Sequence, residues 1–447
     1  MGTTRVVPAP VVTRPAVWRA RPGWPLAVIF LGFPLWWLLG LGMLIFLIMS
    51  VPMAVHLYMR RSRLLVPRGF GAWLLFLAWV LVGAGVLWAN APGAVPGGSL
   101  GRLLPFGWSL AWYLASTVVL LYIAGLSDEE LPADRVGRLL GYMFVVTTAG
   151  GLLGTFAPHL QLTSPLEMLL HTHNTFLLDA IHPKTAEVAT ILGYEQSRPM
   201  APFAYANTWG AAYAFFLPFF AITWLLRADR RRRILGIGIL LASLWPAVYS
   251  LDRGLWIALG VAGGFAGLRA VAKGGRRALR LAVAGLTVGA LVFMVSPLPG
   301  MIQTRLERPH SNNRRTLLAQ QSTRSALTGS PIVGFGTTRN VQGNLTSLAG
   351  GDRPGCKACG APPLGTQGHL WLLLFANGLV GTAAFGAFFA VRFAQHWRER
   401  SAYAVAGCCV LLAFGLFLFI YDLVEVPLYT VMIAVALMWR AKREALA

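Results

Sequence analysis

The sequence predicts an all-α integral membrane protein of about twelve transmembrane helices, with a large extracytoplasmic loop between spans 9 and 10. Three observations lead there. The 447 residues are 56% hydrophobic and only 12% charged, and their mean hydropathy of +0.62 lies far from that of soluble domains. The apolar runs are about twenty residues long, and at about 1.5 Å per residue such helices cross a hydrocarbon core of roughly 30 Å. The formal charge of +22 is gathered into short segments between those runs. That is the positive-inside pattern, so the basic balance speaks for membrane orientation and against a nucleic-acid partner.

Residues 1–23, with Arg5, Arg14, Arg19 and Arg21 among prolines, read as a cytoplasmic basic tail. The apolar stretch behind them is too long for a signal-peptide core and lacks a convincing cleavage site. Residues 24–57 are too long for one span and contain Pro34, so they divide into spans 1 and 2. Spans 3 (70–90), 4 (106–126) and 5 (139–158) follow, then a polar loop over 159–205. Span 6 (206–226), span 7 (234–250) and span 8 (254–271) precede span 9 (281–297), which completes the first membrane region, 24–297. Residues 298–368 form the large loop. Spans 10 (369–391), 11 (402–420) and 12 (424–439) make the second region, and 440–447 a second cytoplasmic basic tail. With the N-terminus inside, 26 of the 38 Lys and Arg fall on the cytoplasmic side and 12 outside. Both termini are therefore expected in the cytoplasm.

Eight of the twelve outer cations lie in the one long loop: Arg305, Arg308, Arg314, Arg315, Arg324, Arg339, Arg353 and Lys357. Only Glu307 and Asp352 oppose them, and the loop ends at His369, the first residue of span 10. Arginines and a titratable imidazole at a membrane edge suit a phosphorylated lipid. Cys356 and Cys359 in the same loop form a lone C-x-x-C, short of the four ligands zinc needs, and outside the cell they are placed to close a small disulfide. His171, His173 and Asp179 are too sparse a set for a metal.

Four pieces carry the candidate chemistry. Ser250-Leu251-Asp252-Arg253-Gly254 is a tight turn between spans 7 and 8. An arginine there either snorkels to water or presents its planar fork to a phosphate, with Asp252 placed to pair with it or orient it. In the long loop, Ser311-Asn312-Asn313-Arg314-Arg315 opens a helix that Ser311 or Asn312 caps, Gly329 ends and Pro331 stops. At about 100° per residue Arg314 shares a side with Leu317, Leu318 and Gln321 while Arg315 points away, so Arg314 is the arginine expected to need a ligand. His369 is suited to take a proton from a hydroxyl near neutral pH. Arg198, in an extended Pro-rich lead-in to Asn207 and span 6, offers a third phosphate contact.

In this order the four pieces resemble the O-antigen ligase and O-antigen polymerase superfamily of bacterial envelope proteins. The resemblance covers roughly residues 198–390. It rests on Arg198-Pro199 and Asn207, the Ser250 to Arg253 turn, the loop arginines followed by Pro331-Ile332-Val333-Gly334-Phe335-Gly336, and His369 with Asn377-Gly378-Leu379-Val380-Gly381 behind it. Asp252 interrupts the family's usual Ser-Arg, and Leu370 stands where Asn or Ser is common after the His. The resemblance implies a GT-C-like fold in a bacterial cell membrane, with no metal or other cofactor. It also implies transfer of a glycan from a polyprenyl diphosphate carrier to a hydroxyl of a glycan or lipid acceptor, with the active site extracytoplasmic. Inversion at the anomeric carbon is expected from attack on the face opposite the diphosphate. Carried over to this chain, His369, Arg253 and Arg314 would be catalytic, and Arg253, Arg314, Arg315 and Arg198 would hold the diphosphate. The alternative is a flippase or secondary transporter of an anionic or lipid-linked solute. Such a protein is expected to show charged or broken positions in mid-span or two similar halves.

Overall fold

The computed structural model describes residues 22–63, 65–97, 100–172, 175–190, 195–272, 280, 294, 299–300, 303, 310–342 and 363–446. The expected span 9, apart from residue 294, and the Cys356/Cys359 pair lie outside them. Among the described residues the named strands form one two-stranded hairpin, and the other regular elements are helices. Helices α1 (Trp24–Leu31) and α2 (Phe33–Leu38) are followed by α3 (Leu44–Met59), so the 24–57 block turns back on itself around Gly40. Then come α4 (Gly71–Gly83), α5 (Leu103–Gly125), α6 (Ala133–Phe156) and the short α7 (Pro165–Leu170) and α8 (Thr175–Ile181). The hairpin of β1 (Ala186–Thr190) and β2 (Glu195–Pro199) folds within the expected polar loop. After it come α9 (Ala206–Phe220), α10 (Arg230–Tyr249), α11 (Arg253–Ala272), α12 (His310–Gly329), α13 (His369–His396), α14 (Ala402–Phe417) and α15 (Val426–Leu446).

Six of these helical stretches are long and apolar enough to cross a membrane, and three shorter apolar helices stand at the expected spans 2, 3 and 11. The six fall at expected spans 4 to 8 and 10. On α10 and α11 most of the apolar surface stays uncovered, with Leu241, Trp245, Ile257 and Leu268 exposed, as lipid contact requires. In α15, by contrast, Val431–Met438 are all 0% exposed. That helix is apolar all round and is enclosed by α5, α9 and α14, which makes it the centre of the bundle.

Charge marks the two ends of the bundle. At one, which we call the basic end, Arg60 pairs with Glu130 at 2.6 Å, Arg440 with Asp128 at 2.9 Å and Lys442 with Glu399 at 3.3 Å. The opposite end carries the β-hairpin and the turn between α10 and α11, held together by Arg198.

Helix α13 departs from a single expected span. Gly378 has φ 60° and ψ −167°, which breaks the helix into 369–377 and 379–396. Residues sixteen apart in an unbroken helix stand about 24 Å apart, yet the rings of His369 and Phe385 are 5.2 Å apart. The first half therefore folds back along the second. Pro331–Gly336 bridges the break: Phe335 N–H and Gly336 N–H donate to the carbonyls of Phe375 and Ala376 at 2.9 and 2.8 Å, and Leu379 N–H donates to Pro331 O at 2.8 Å. These bonds satisfy the backbone groups that a broken helix leaves open.

Arg339 anchors the same segment. Only 3% exposed, it donates to the carbonyls of Thr337, Thr338, Leu87 and Phe335 at 2.7–3.2 Å. Hydrogen bonds from a charged donor are the strong ones, and losing this set leaves several buried carbonyls open. Arg339→Ala is expected to destabilise the protein by about 3 kcal/mol or more, read as a lower thermal unfolding midpoint in detergent.

Candidate functional site

The hairpin end collects the candidate residues from four separate stretches of chain. Strand β2 sets Arg198 opposite Glu187 in the antiparallel register, and its Nη1 lies 3.8 Å from Glu187 Oε2. Its Nη2 donates to Asn207 Oδ1 at 3.0 Å and its Nε to Ser250 O at 3.3 Å. With its side chain only 12% exposed, Arg198 ties the hairpin, the first turn of α9 and the α10–α11 turn into one body.

The α10–α11 turn is itself built tightly. Ser250 Oγ donates to Ala247 O at 2.8 Å and accepts from Asp252 N–H at 3.3 Å. Leu251 takes φ 52° while 98% of its surface is buried. A branched side chain in the left-handed region is strained and persists only where its surroundings over-determine it. Asp252 then caps α11, accepting Leu255 N–H on Oδ1 at 3.0 Å. The same oxygen receives the hydroxyl of Tyr421. Oδ2 is buried with no hydrogen-bond partner among the described residues, and a Cβ on Gly210 would come within 2.4 Å of it. Half-buried Arg253 is the first residue of α11. A cation at the positive end of a helix is unfavourable unless negative charge stands beside it.

Tyr421 is the hub of the cluster. Its hydroxyl reaches Asp252, its carbonyl accepts His369 N–H at 2.7 Å, and the Arg315 guanidinium lies 5.9 Å from its ring centroid. Arg315 Nε also donates to Gln367 Oε1 at 3.4 Å. Gln367 and Gly368 donate their N–H groups to the two oxygens of Asp422 at 3.3 and 3.1 Å. Gln367 has φ 68°, so two of the three non-glycine residues with positive φ among the described residues adjoin this cluster. Asp422 itself is exposed at this edge.

Two expectations change here. Helical phase pointed Arg315 away, yet it is Arg315 that turns to Tyr421 and Gln367. The packed stripe of α12 is Leu318, Ser322, Ser325 and Ala326, and Arg315 aligns with Ser322 and Ala326 at i+7 and i+11. Ser322 and Ser325 share the buried face with Leu318 and Ala326, while Leu317 is only half-buried. The side chain of Arg314 lies outside the described residues. The second change concerns His369. Its main chain belongs to the cluster, but its ring is 0% exposed, packs on Phe385 and has no hydrogen-bond partner on either nitrogen among the described residues. Because α13 reverses at Gly378, the imidazole points into the aromatic core instead of lying at an open edge.

Asp252's capping role, Tyr421, Asp422 and Glu425 were not legible as site features from spacing. The available signal was compositional: Asp422 and Glu425 are the only charged residues between 401 and 439. Glu425 accepts Trp108 Nε1–H on Oε1 at 3.0 Å and borders a small cavity of about 20 Å³ that Phe33, Trp37, Asp179, His182 and Thr208 also line. Among the described residues no three His, Cys, Asp or Glu side chains stand close enough to hold a metal ion, and His173 is outside them. No protein-family model matches this chain, and comparison with curated proteins finds no significant match.

Proposed function

We propose that this is a membrane glycosyltransferase that moves a glycan from a polyprenyl diphosphate carrier to an acceptor hydroxyl at the extracytoplasmic face of a bacterial cell membrane, in the manner of O-antigen ligases and polymerases. The observation that carries the reading is the convergence of Arg315 and the Arg253 turn on the Asp252–Tyr421 contact, with Arg198 bracing that turn. Planar guanidinium groups suit a diphosphate, and fixed ones stabilise the charge it gains as the glycosidic bond breaks. Arg253, Arg314 and Arg315 are assigned to the diphosphate, and Arg198 to holding the turn. His369 ties α13 to Tyr421 through its main chain, and its ring would have to turn out of the core to meet an acceptor. Reversal of the glycosidic configuration follows if the acceptor attacks opposite the bound diphosphate. In this reading the hairpin end faces outward and both basic tails lie in the cytoplasm, in a bundle of about twelve spans of GT-C-like type.

A transporter of lipid-linked or anionic solute is the second reading, and the break at Gly378 favours it, because transporters bind substrate at interrupted helices. One experiment separates them. Proteoliposomes carrying the purified protein and a radiolabelled polyprenyl diphosphate glycan, given membrane-extracted acceptor, are expected to form transferred product and free polyprenyl diphosphate. Movement of the intact lipid-linked glycan between leaflets with no transferred product would replace the transferase reading with the transporter one.

A further inference from the structure

Arg227-Ala228-Asp229-Arg230-Arg231-Arg232-Arg233 joins α9 to α10, and glycan transfer gives it no work. The run stands at the basic end. Arg227 pairs there with Asp134 in the first turn of α6, and the hydroxyl of Tyr403 donates to the same oxygen at 2.6 Å. Three of its five arginines build the turn. Arg227 is held by that ion pair, the Arg232 guanidinium lies 4.6 Å from the centroid of the Trp224 ring, and Arg233 donates to the carbonyls of Leu225 and Ala228 at 2.8 and 3.1 Å. Arg230 and Arg231 differ from these: both are exposed, and neither has a partner among the described residues. Elsewhere at this end Glu130, Asp128 and Glu399 are each paired with a cation, whereas within the run only Asp229 opposes five arginines.

Position along α10 decides what the free pair meets. One turn on from Arg230 and Arg231 stand Ile234 and Leu235, both exposed. From Arg230 the same stripe continues through Ile237 and Leu241 to Trp245, all exposed. The helix has 20 residues, which at about 1.5 Å each matches a hydrocarbon core of roughly 30 Å. Its uncovered stripe therefore lies against acyl chains, and the two guanidinium groups at the end of that stripe stand at headgroup height, with exposed Leu226 beside them. Guanidinium forks match phosphate oxygens, and a headgroup with net negative charge offsets the cations as a zwitterionic one does not.

We propose that Arg230 and Arg231 form a binding site for the phosphate of anionic phospholipids in the leaflet at the basic end. The headgroups then help to hold α10, much of whose apolar surface no protein covers. Glycan transfer plays no part in this binding, so the site stands equally for a transferase or a transporter.

The test uses the full-length protein in a neutral detergent, with phosphatidylglycerol, phosphatidylcholine and glycerol phosphate as probes. Native mass spectrometry across a lipid titration reads affinity, and thermal unfolding reads stability. Wild type is expected to hold phosphatidylglycerol at least about tenfold more tightly than phosphatidylcholine, and its unfolding midpoint should rise as the anionic lipid is added. In Arg230→Gln/Arg231→Gln the affinity for phosphatidylglycerol should fall about thirtyfold, roughly a factor of five for each surface cation. The rise in midpoint should vanish with it. Without lipid, that variant should unfold at the wild-type midpoint, because neither side chain has a protein partner. Arg61→Gln/Arg398→Gln removes the same charge at the same end, from residues that lie over the Tyr58 and Trp397 rings, and should keep most of the affinity. Equal losses in the two double variants would reveal a diffuse basic surface and overturn the site. Wild-type affinity in Arg230→Gln/Arg231→Gln, or no preference for phosphatidylglycerol, would do the same. If glycerol phosphate raises the midpoint as far as the intact lipid does, the ligand is a soluble phosphate and the lipid assignment is wrong.

Discussion

Arg253→Ala is expected to lower glycan transfer by about 10²-fold or more, with protein level and membrane insertion unchanged. Arg253 is the first residue of α11, and the cap that starts this helix belongs to Asp252, which accepts Leu255 N–H. Truncating Arg253 therefore removes a cation without unmaking the turn. Its proposed work falls at the moment when the diphosphate gains charge, so the loss should appear in kcat more than in KM for the lipid-linked donor. Arg253→Lys should recover only part of the rate, because an ammonium is a point charge and cannot meet two phosphate oxygens as a planar fork does. Arg315→Ala should behave alike, since the Arg315 guanidinium stands over the ring of Tyr421, whose hydroxyl meets Asp252. Wild-type turnover in Arg253→Ala would move the diphosphate site elsewhere.

Gly378→Ala is expected to cost about 3 kcal/mol or more and to lower the yield of folded protein sharply. At φ 60° and ψ −167° the backbone occupies a region that is in practice glycine's alone. A Cβ would also stand 2.3 Å from Ile332 O and 2.8 Å from Pro331 O, both main-chain atoms of the segment that bridges the break. Neither strain relaxes without releasing Pro331–Gly336, and with it the reversal that sets His369 N–H on Tyr421 O. Gly386→Ala is the control within the same helix: nothing lies within 4 Å of its Cβ position, and in a helix interior alanine is favoured by about 1 kcal/mol. Thermal unfolding of detergent-purified protein should separate the two substitutions clearly. Equal midpoints would show that α13 does not depend on the break.

Much of the architecture was written in local features of the chain. Apolar length and basic flanks marked where helices form, and Gly329 and Pro331 marked the end of α12 correctly. Ser250 to Arg253 was legible as a tight turn, because a short polar link between two apolar runs leaves no other choice. The break in α13 was not legible. Asn377-Gly378 sits in an apolar run that reads as one continuous helix, and the groups that make a reversal tolerable come from Pro331–Gly336, some forty residues earlier. Phase misled on Arg315 for a related reason. Leu318 does face inward, but so do Ser322 and Ser325, and Ser322 Oγ accepts Gly365 N–H at 2.8 Å, so the buried face is turned toward Arg315.

By itself the sequence determined that this is a largely helical, membrane-suited chain with its cationic candidates at segment ends, because hydropathy and charge are properties of each stretch taken alone. Which arginine meets Tyr421, where the His369 ring points, and that Asp252 and Glu425 belong beside the cluster were decided only by the tertiary structure. The reason is physical: each depends on contacts between segments roughly fifty to three hundred residues apart, Arg315 to Gln367, Asp252 to Tyr421 and Trp108 to Glu425. A periodicity within one helix cannot specify which neighbour will cover it.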